Sequence, residues 1–313
     1  MPSSQRLRGV FSPVLTPFDA DQTPSVARFI RHCQWLIRQQ VGLSIFGTNS
    51  EATSLALTEK HRLLDALLDA GLPAAQMMPG TGACAAADAI ELTRHAVDAG
   101  CGGVLMLPPF YYKGVSDEGL FRSFAAVIDA VADPRLKIYL YHIPPVTQIP
   151  ISLALIERLL KAYPGTIAGV KDSSGDWTNT DAMLRHFQPE GFDVFAGSET
   201  LLLATLRGGG AGCITATGNV NPAPMVALYD SWQRAGADAD LDAQQQSLDQ
   251  TRAVFQQFPL IAAMKAALAW KTGDEAWRTV RPPLIELTPD QSRKLERELD
   301  ELGFTMPHVE DML

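Results

Sequence analysis

Short apolar runs alternate with longer stretches whose apolar positions recur every three to four residues, and the alternation continues to about residue 235. Such a pattern reads as repeated βα units. The expected strands are VFSPVLTPF (10–18), VGLSIFG (41–47), AQMMPGTG (75–82), GGVLMLPP (102–109), KIYLYHIP (137–144), TIAGVKD (166–172), FDVFAGSE (192–199) and GCITATGN (212–219). Between them the helical period predicts helices over 25–40, 58–71, 86–100, 116–131, 152–163, 178–187, 199–209 and 223–235. Thr58, with Glu59 and Lys60 behind it, reads as an N-cap, while Gly71 and Gly100 stand where helices must stop. Eight strands and eight helices, without a long linker or a break in composition, predict an α/β chain of (β/α)8 barrel type rather than two doubly wound halves. The catalytic barrel is expected over 1–235, and three further amphipathic stretches over 236–313 read as a C-terminal helical extension packed on it.

Composition narrows the possible functions. The chain has 313 residues, 46% hydrophobic and 19% charged, enough to bury a large core. Its net charge of −9, with no basic run interleaved with aromatics, argues against nucleic acid as a partner. The start, MPSSQRLRGVFSPV, lacks the apolar core of a signal peptide, and no stretch is apolar for long enough to span a membrane, so a soluble, cytoplasmic protein is expected. Cys33, Cys84, Cys101 and Cys213 are scattered, with no Cys-x-x-Cys pair and no neighbouring histidine at ligand spacing, and read as buried free thiols. No HExxH, P-loop or GxGxxG fingerprint occurs, so neither metal nor cofactor is expected.

In barrels of this type chemistry sits at the C-terminal ends of the strands. Those ends carry Thr48 and Asn49, Tyr111 and Tyr112, Tyr141 and His142, Lys171, and Gly197 with Ser198. Of the eight lysines, Lys60, Lys161 and Lys294 have helical neighbours and are expected at the surface, Lys137 opens a strand, Lys113 lies in a polar loop, and Lys265 is ambiguous in the tail. Lys171 alone joins an apolar strand to a position at its C-terminal end. Desolvation there favours a neutral amine able to attack a ketone carbonyl; an ion pair with Asp172 or Glu199 would explain the same residue structurally. Tyr141, on the neighbouring strand, offers a hydroxyl for proton transfer, or equally a core ring with a satisfied hydroxyl. The turn GTNSEA (47–52) offers hydroxyls and backbone N–H groups that can hold a carboxylate, as well as reading as an ordinary capped βα turn.

Taken together, GVFSPVLTPF, GTNSEATSL, PPFYYKGVSDEGL, YHIPP, GVKDSSGD, AGSETLLL and GGGAGCITATGNVNP resemble, in order, the N-acetylneuraminate lyase and dihydrodipicolinate synthase superfamily of class I, pyruvate-type aldolases. The resemblance implies that Lys171 forms the Schiff base and that Tyr141 shuttles protons. It implies that Thr48 and Asn49 receive the pyruvate carboxylate, and that Tyr112 completes a hydroxyl relay with Thr48 and Tyr141, in many members across a tight dimer interface. Gly197 and Ile214 match positions that line the site with backbone. A homo-oligomer, dimer or tetramer, is implied as well.

Departures from the family pattern bear on the substrate. Val146 stands where dihydrodipicolinate synthases carry the arginine that grips the second substrate's carboxylate, and His142 stands where asparagine is frequent. Losing a charge-assisted contact of about 1.5–3 kcal/mol disfavours that synthase reaction. The expected activity is therefore a Schiff-base lyase acting on a 2-keto-3-deoxy sugar acid or a 4-hydroxy-2-keto acid, with pyruvate as product or co-substrate. A keto-deoxy acid dehydratase, a dihydrodipicolinate synthase and a keto-acid-binding regulatory protein are the alternatives. Whether Lys113 reaches the pocket bears on the second of these.

Overall fold

A computed structural model describes residues 6–234 and 240–312. The expected boundary at 235/236 and the first five residues of the chain lie outside the described residues. Two compact units are present, one formed by Met1–Arg8 with Pro73–Cys213 and the other by Gly9–Leu72 with Ile214–Leu313. Among the described residues the strands are β1 (Gly9–Ser12), β2 (Gly42–Leu43), β3 (Val104–Met106), β4 (Ile138–His142), β5 (Ile167–Asp172), β6 (Asp193–Ala196) and β7 (Gly212–Ile214).

The third expected strand, over 75–82, is reduced to less than a strand. Ala74–Gln76 forms a 3-10 turn, and Gly80 makes a single parallel bridge to Leu105. Leu105 N–H donates to the Pro79 carbonyl at 2.8 Å and Thr81 N–H to the Leu105 carbonyl at 3.0 Å. Pro79 has no N–H to offer, so the ladder cannot run on through it.

In the first unit, β3, β4, β5, β6 and β7 pair in parallel in that order. Side chains alternate between the two faces of a strand. Val104, Met106, Ile138, Leu140, Val170 and Val194 join one buried cluster with Leu120, Phe124, Ile156 and Met183 from the helices Asp117–Val131, Leu153–Ala162 and Trp177–Phe187. Each such aliphatic side chain stabilises the unit by roughly 1.5–3 kcal/mol on burial. On the opposite face Tyr139 meets Phe195 edge-on, with ring centroids 5.7 Å apart.

The β4–β5 pairing is irregular. Ile138 pairs with Ile167, but Tyr139 pairs with Gly169, so β5 carries one extra residue between the two. Ile167 and Val170, three apart, consequently both reach the helix-facing cluster. Gly169 is required there because a Cβ would lie 2.2 Å from the Asp193 carbonyl oxygen and 2.8 Å from the Tyr139 ring.

In the second unit, Phe11 and Ser12 pair with Gly42 and Leu43, and Thr215 N–H donates to the Phe11 carbonyl at 3.1 Å. Asn219 ties these segments together: its Oδ1 accepts from Leu15 N–H at 2.9 Å and its Nδ2 donates to the carbonyls of Pro13 and Ala216. His32 Nε2 lies 3.0 Å from the same Oδ1. The tail forms the helices Leu241–Phe255, Leu260–Thr272 and Pro289–Glu301, as its periodicity predicts. Gly71 and Gly100 end their helices at positive φ, as expected. The Thr58 cap is corrected: the helix begins at Leu57 after Ala56, and Glu59 reaches back to the Ala56 N–H at 2.9 Å.

The buried thiols expected at Cys33 and Cys213 are present, whereas Cys84 is exposed and Cys101 partly so. Burial pushes the Cys101 thiol up to about 12. Lys60, expected at the surface, is buried.

Burial also pulls the His32 imidazole down from 6.5 to about 4, against the opposing effect of its Asn219 hydrogen bond. Between those values the unfolded chain binds a proton that the folded protein does not. This contribution to stability is therefore complete above 6.5 and is lost as pH falls toward 4, at no more than about 1.4 kcal/mol per pH unit. Urea unfolding of wild type and His32→Gln at about pH 7 and about pH 5 should show a smaller acid loss in the variant; equal losses would assign the acid sensitivity elsewhere.

Candidate active site

The extra residue in β5 decides which side chains meet. Had the Ile138–Ile167 register continued, Tyr141 would face Val170; with the shift, Tyr141 pairs with Lys171 and His142 with Asp172. A one-residue slip moves a side chain to the other face of the sheet. Lys171 and Tyr141 are both 2% exposed, and the Lys171 Nζ donates to the Tyr141 Oη at 3.3 Å while lying 4.3 Å from the ring centroid. Among the described residues no carboxylate stands within 4.0 Å of that Nζ. Cys213 is near enough for Lys171 to act on its charge, but burial, with Glu199 beside it, keeps that thiol protonated.

Asp172 does not pair with Lys171. Its Oδ1 accepts from Ser174 N–H at 2.9 Å, and its Oδ2 accepts from Thr180 Oγ1 at 2.6 Å, Asn179 Nδ2 at 3.0 Å and Ser174 Oγ at 3.1 Å. The carboxylate therefore fastens the segment after β5 to the helix Trp177–Phe187. His142 faces the same way as Asp172, away from Tyr141 and Lys171. Its Nδ1 accepts from Ile151 N–H at 3.0 Å, which leaves the proton of the neutral ring on Nε2, 4.0 Å from Asp172 Oδ1. Burial holds the imidazole below its ordinary value, with Asp172 opposing. The expectation that His142 lines a substrate pocket is thus corrected to a supporting place behind the strand, because consecutive strand residues point to opposite faces.

Gly197 follows β6, and its N–H donates to the Asp172 carbonyl at 2.7 Å. A Cβ there would stand 2.0 Å from the Ser173 hydroxyl oxygen. Ser198 caps the turn that follows, accepting from Thr200 N–H at 3.4 Å. In the loop after β3, Tyr111 and Tyr112 are 74% and 75% exposed and meet edge-on, with centroids 5.4 Å apart. Val146, in the helical turn Pro144–Thr147 after β4, is 60% exposed. Lys113 donates to the carbonyl of Phe110 and, at 2.7 Å, to that of Thr147, so its ammonium ties the two loops together.

Thr48, Asn49 and Ile214 belong to the second unit. Ile214 is fully buried at the end of β7. Thr48 and Asn49 lie in the 3-10 turn Thr48–Ser50, in which Ser50 N–H donates to the Gly47 carbonyl, Glu51 N–H to the Thr48 carbonyl, and Gly47 N–H to Ser50 Oγ, each at 3.1 Å. These bonds occupy the N–H groups of Gly47, Ser50 and Glu51.

Gly169 and the Asp172 anchor are the site's supports that the sequence patterns do not single out. A lone glycine inside an apolar strand was the available signal for the first.

Comparison with known proteins gives the class first. Over 94% of this chain and 99% of the other, the fold matches dihydrodipicolinate synthase from Agrobacterium tumefaciens, with a TM-score of 0.85 and 30% identity. A 2-keto-3-deoxygluconate aldolase from Sulfolobus solfataricus shares the fold at a TM-score of 0.83 and 22% identity, over 94% of this chain and 96% of the other. The fold is thus the (β/α)8 barrel with additional C-terminal helices, and the protein is a lyase of the class I, Schiff-base kind. The chain belongs to the dihydrodipicolinate synthetase family, whose model matches residues 6–302. An uncharacterised DapA-like lyase from Chloroflexus aurantiacus is 34% identical over 287 residues, covering 91% of this chain and 93% of the relative.

Gly169→Ala should lower stability by about 1–3 kcal/mol, the usual cost of forcing a methyl group into filled space, and should separate Tyr141 from Lys171. Urea unfolding checks the first part; a variant as stable as wild type would show that the β4–β5 register absorbs the extra carbon.

Proposed function

We propose that Lys171 is the Schiff-base lysine of a lyase that cleaves a 2-keto-3-deoxy sugar acid or a 4-hydroxy-2-keto acid to pyruvate and an aldehyde. The observation that carries this reading is the buried Lys171 with a tyrosine hydroxyl and, among the described residues, no carboxylate at its amine. The amine adds to the C2 carbonyl, and Tyr141 gives a proton to the hydroxyl that leaves as water. The resulting imine accepts the electron pair of the C3–C4 bond as the C4 hydroxyl gives up its proton to Tyr141. The enamine left behind is protonated at C3 and hydrolysed to pyruvate, freeing Lys171. Thr48 and Asn49 hold the keto acid's carboxylate, and Gly197 and Ile214 line the site with backbone.

Tyr112 completes the proton relay from a second copy of the chain, in a tetramer of tight dimers acting in the cytoplasm. Its exposure beside Tyr111 supports a covering partner. Sedimentation showing a fully active monomer would remove Tyr112 from the relay. The division into a catalytic barrel over 1–235 and a helical extension over 236–313 belongs to the same proposal.

Pyruvate with borohydride should add one adduct per chain, lost in Lys171→Ala; mass spectrometry reads it, and an adduct that survives would move the nucleophile elsewhere. An adduct without turnover of any keto acid would favour a binding role. Tyr141→Phe should keep pyruvate binding and lose about 10²- to 10⁴-fold in turnover.

A second reading, the synthase, is favoured by one observation: the Lys113 cation lies in the loop tied to the Val146 turn. Two backbone carbonyls already occupy that ammonium, which supports ranking the synthase second. Condensation of pyruvate with aspartate semialdehyde should therefore be slower than cleavage of the best keto-deoxy or hydroxy-keto acid in a panel assayed on one preparation. Loss of water without release of pyruvate in the same panel would mark a dehydratase, and condensation as the fastest reaction would reverse the order.

A further inference from the structure

Among the described residues two lysines, Lys171 and Lys265, are fully buried, and Lys265 is not accounted for by the chemistry above. It lies in the middle of the helix Leu260–Thr272, among Ala262, Ala263, Met264, Ala266 and Leu268, all buried. Its Nζ donates to Glu51 Oε1 at 2.5 Å and to the Thr279 carbonyl at 2.7 Å, and it lies 4.4 Å from the centroid of the Phe18 ring. The other oxygen of the carboxylate, Glu51 Oε2, accepts from Arg281 N–H at 2.8 Å. Burial pulls the Lys265 ammonium down to about 8, and Glu51 opposes that fall.

Glu51 follows immediately on the turn Thr48–Ser50, and its own N–H holds the Thr48 carbonyl at 3.1 Å. Glu51 has φ 55° and Phe46, before the turn, has φ 62°. Non-glycine residues keep such left-handed conformations only where their surroundings over-determine them. On the Glu51 side those surroundings come from the tail: Lys265 and the Arg281 backbone fix the carboxylate, and the Arg281 side chain donates to the Ser54 carbonyl at 2.6 Å and to both Glu59 oxygens. A buried charged pair is rarely the cheapest way to stabilise a core, since apolar residues of similar volume serve as well. It does impose one geometry, because each charge must find the other.

We propose that Glu51 and Lys265 are positioning residues, whose buried pair holds the 48–50 turn in the conformation that receives the keto acid's carboxylate. The inference rests on the assignment of that carboxylate to Thr48 and Asn49. It gives the C-terminal helices a part in substrate affinity.

The test measures how borohydride trapping depends on pyruvate concentration in wild type, Glu51→Gln, the double variant Glu51→Gln/Lys265→Met, and the control Leu268→Ala, which alters the packing of the same helix and leaves both members of the Glu51–Lys265 pair in place. The double variant leaves neither charge buried alone, so it keeps the test open if a single variant fails to fold. The half-saturating pyruvate concentration should rise about 10- to 100-fold in the Glu51 variants, while the trapping rate at saturation stays near wild type and Leu268→Ala keeps wild-type half-saturation. Half-saturation unchanged in both Glu51 variants, or raised equally in Leu268→Ala, would overturn the inference. Thr48→Val and Asn49→Ala separate the two levels of the argument. If they raise half-saturation and the Glu51 variants do not, the positioning role alone fails; if they too leave it unchanged, the carboxylate assignment fails with it.

Discussion

The one extra residue in β5 is the constraint on which the candidate site depends. Because Tyr139 pairs with Gly169 rather than Ala168, Tyr141 and Lys171 share one face and His142 and Asp172 the other. Either register would leave β4 and β5 paired and their aliphatic residues largely buried, so hydrophobic burial alone does not select between them. The selection comes from close approach: at Gly169 the backbone passes so near the Asp193 carbonyl that a side chain does not fit. Below this point Asp193 is itself held by Arg6, Nε to Oδ2 at 2.7 Å, which fixes the wall against which the glycine packs. Above it, Asp172 gathers four hydrogen bonds and prevents the strand end from relaxing.

Comparing the two fully buried lysines shows how a structural ammonium differs from the amine proposed to be reactive. Both are buried, and a buried ammonium without a counter-charge costs several kcal/mol. Lys265 has a carboxylate at 2.5 Å and a carbonyl at 2.7 Å, the surroundings of a group whose work is to stay where it is. Lys171 has a phenol hydroxyl at 3.3 Å and the face of the same ring. A hydroxyl can accept from an ammonium or donate to an amine, so it suits either protonation state. That ambivalence is what a carbonyl-addition mechanism requires and what a purely structural pair does not.

Much of this was legible in the sequence, and what was not has a common cause. Period and length find the helices and seven of the strands, because both are local properties of the chain. The segment over 75–82 has the composition of a strand but contains Pro79, and it pairs through a single bridge. The place of Lys171 at a strand end and of Tyr141 on the next strand was also readable, since it follows from counting elements. The facing of His142, the exposure of Cys84 and the burial of Lys60 were not. Each depends on which neighbour a side chain meets across the fold, and a single sequence does not carry the β4–β5 register that decides the first. The Glu51–Lys265 pair is the extreme case, because its members are more than two hundred positions apart.

The strands and the loops carry different burdens, and this bears on how such a protein changes its substrate. Lys171, Tyr141 and Gly197 are locked by register, burial and close backbone contact, so substitutions near them disturb folding along with chemistry. The loops after β3 and β4 are tied to each other through the Lys113 ammonium on two carbonyls, and the side chains they present, Tyr111, Tyr112 and Val146, are exposed. Replacing an exposed valine costs little stability, usually within about 0.5 kcal/mol. A cation could therefore be gained or lost at position 146 without any adjustment of the lysine or its tyrosine. On the proposed assignment of the site, this is the physical reason that imine formation and the choice of second carbonyl compound can vary independently: the first is written into strands that tolerate almost nothing, the second into a turn whose outer surface is nearly free.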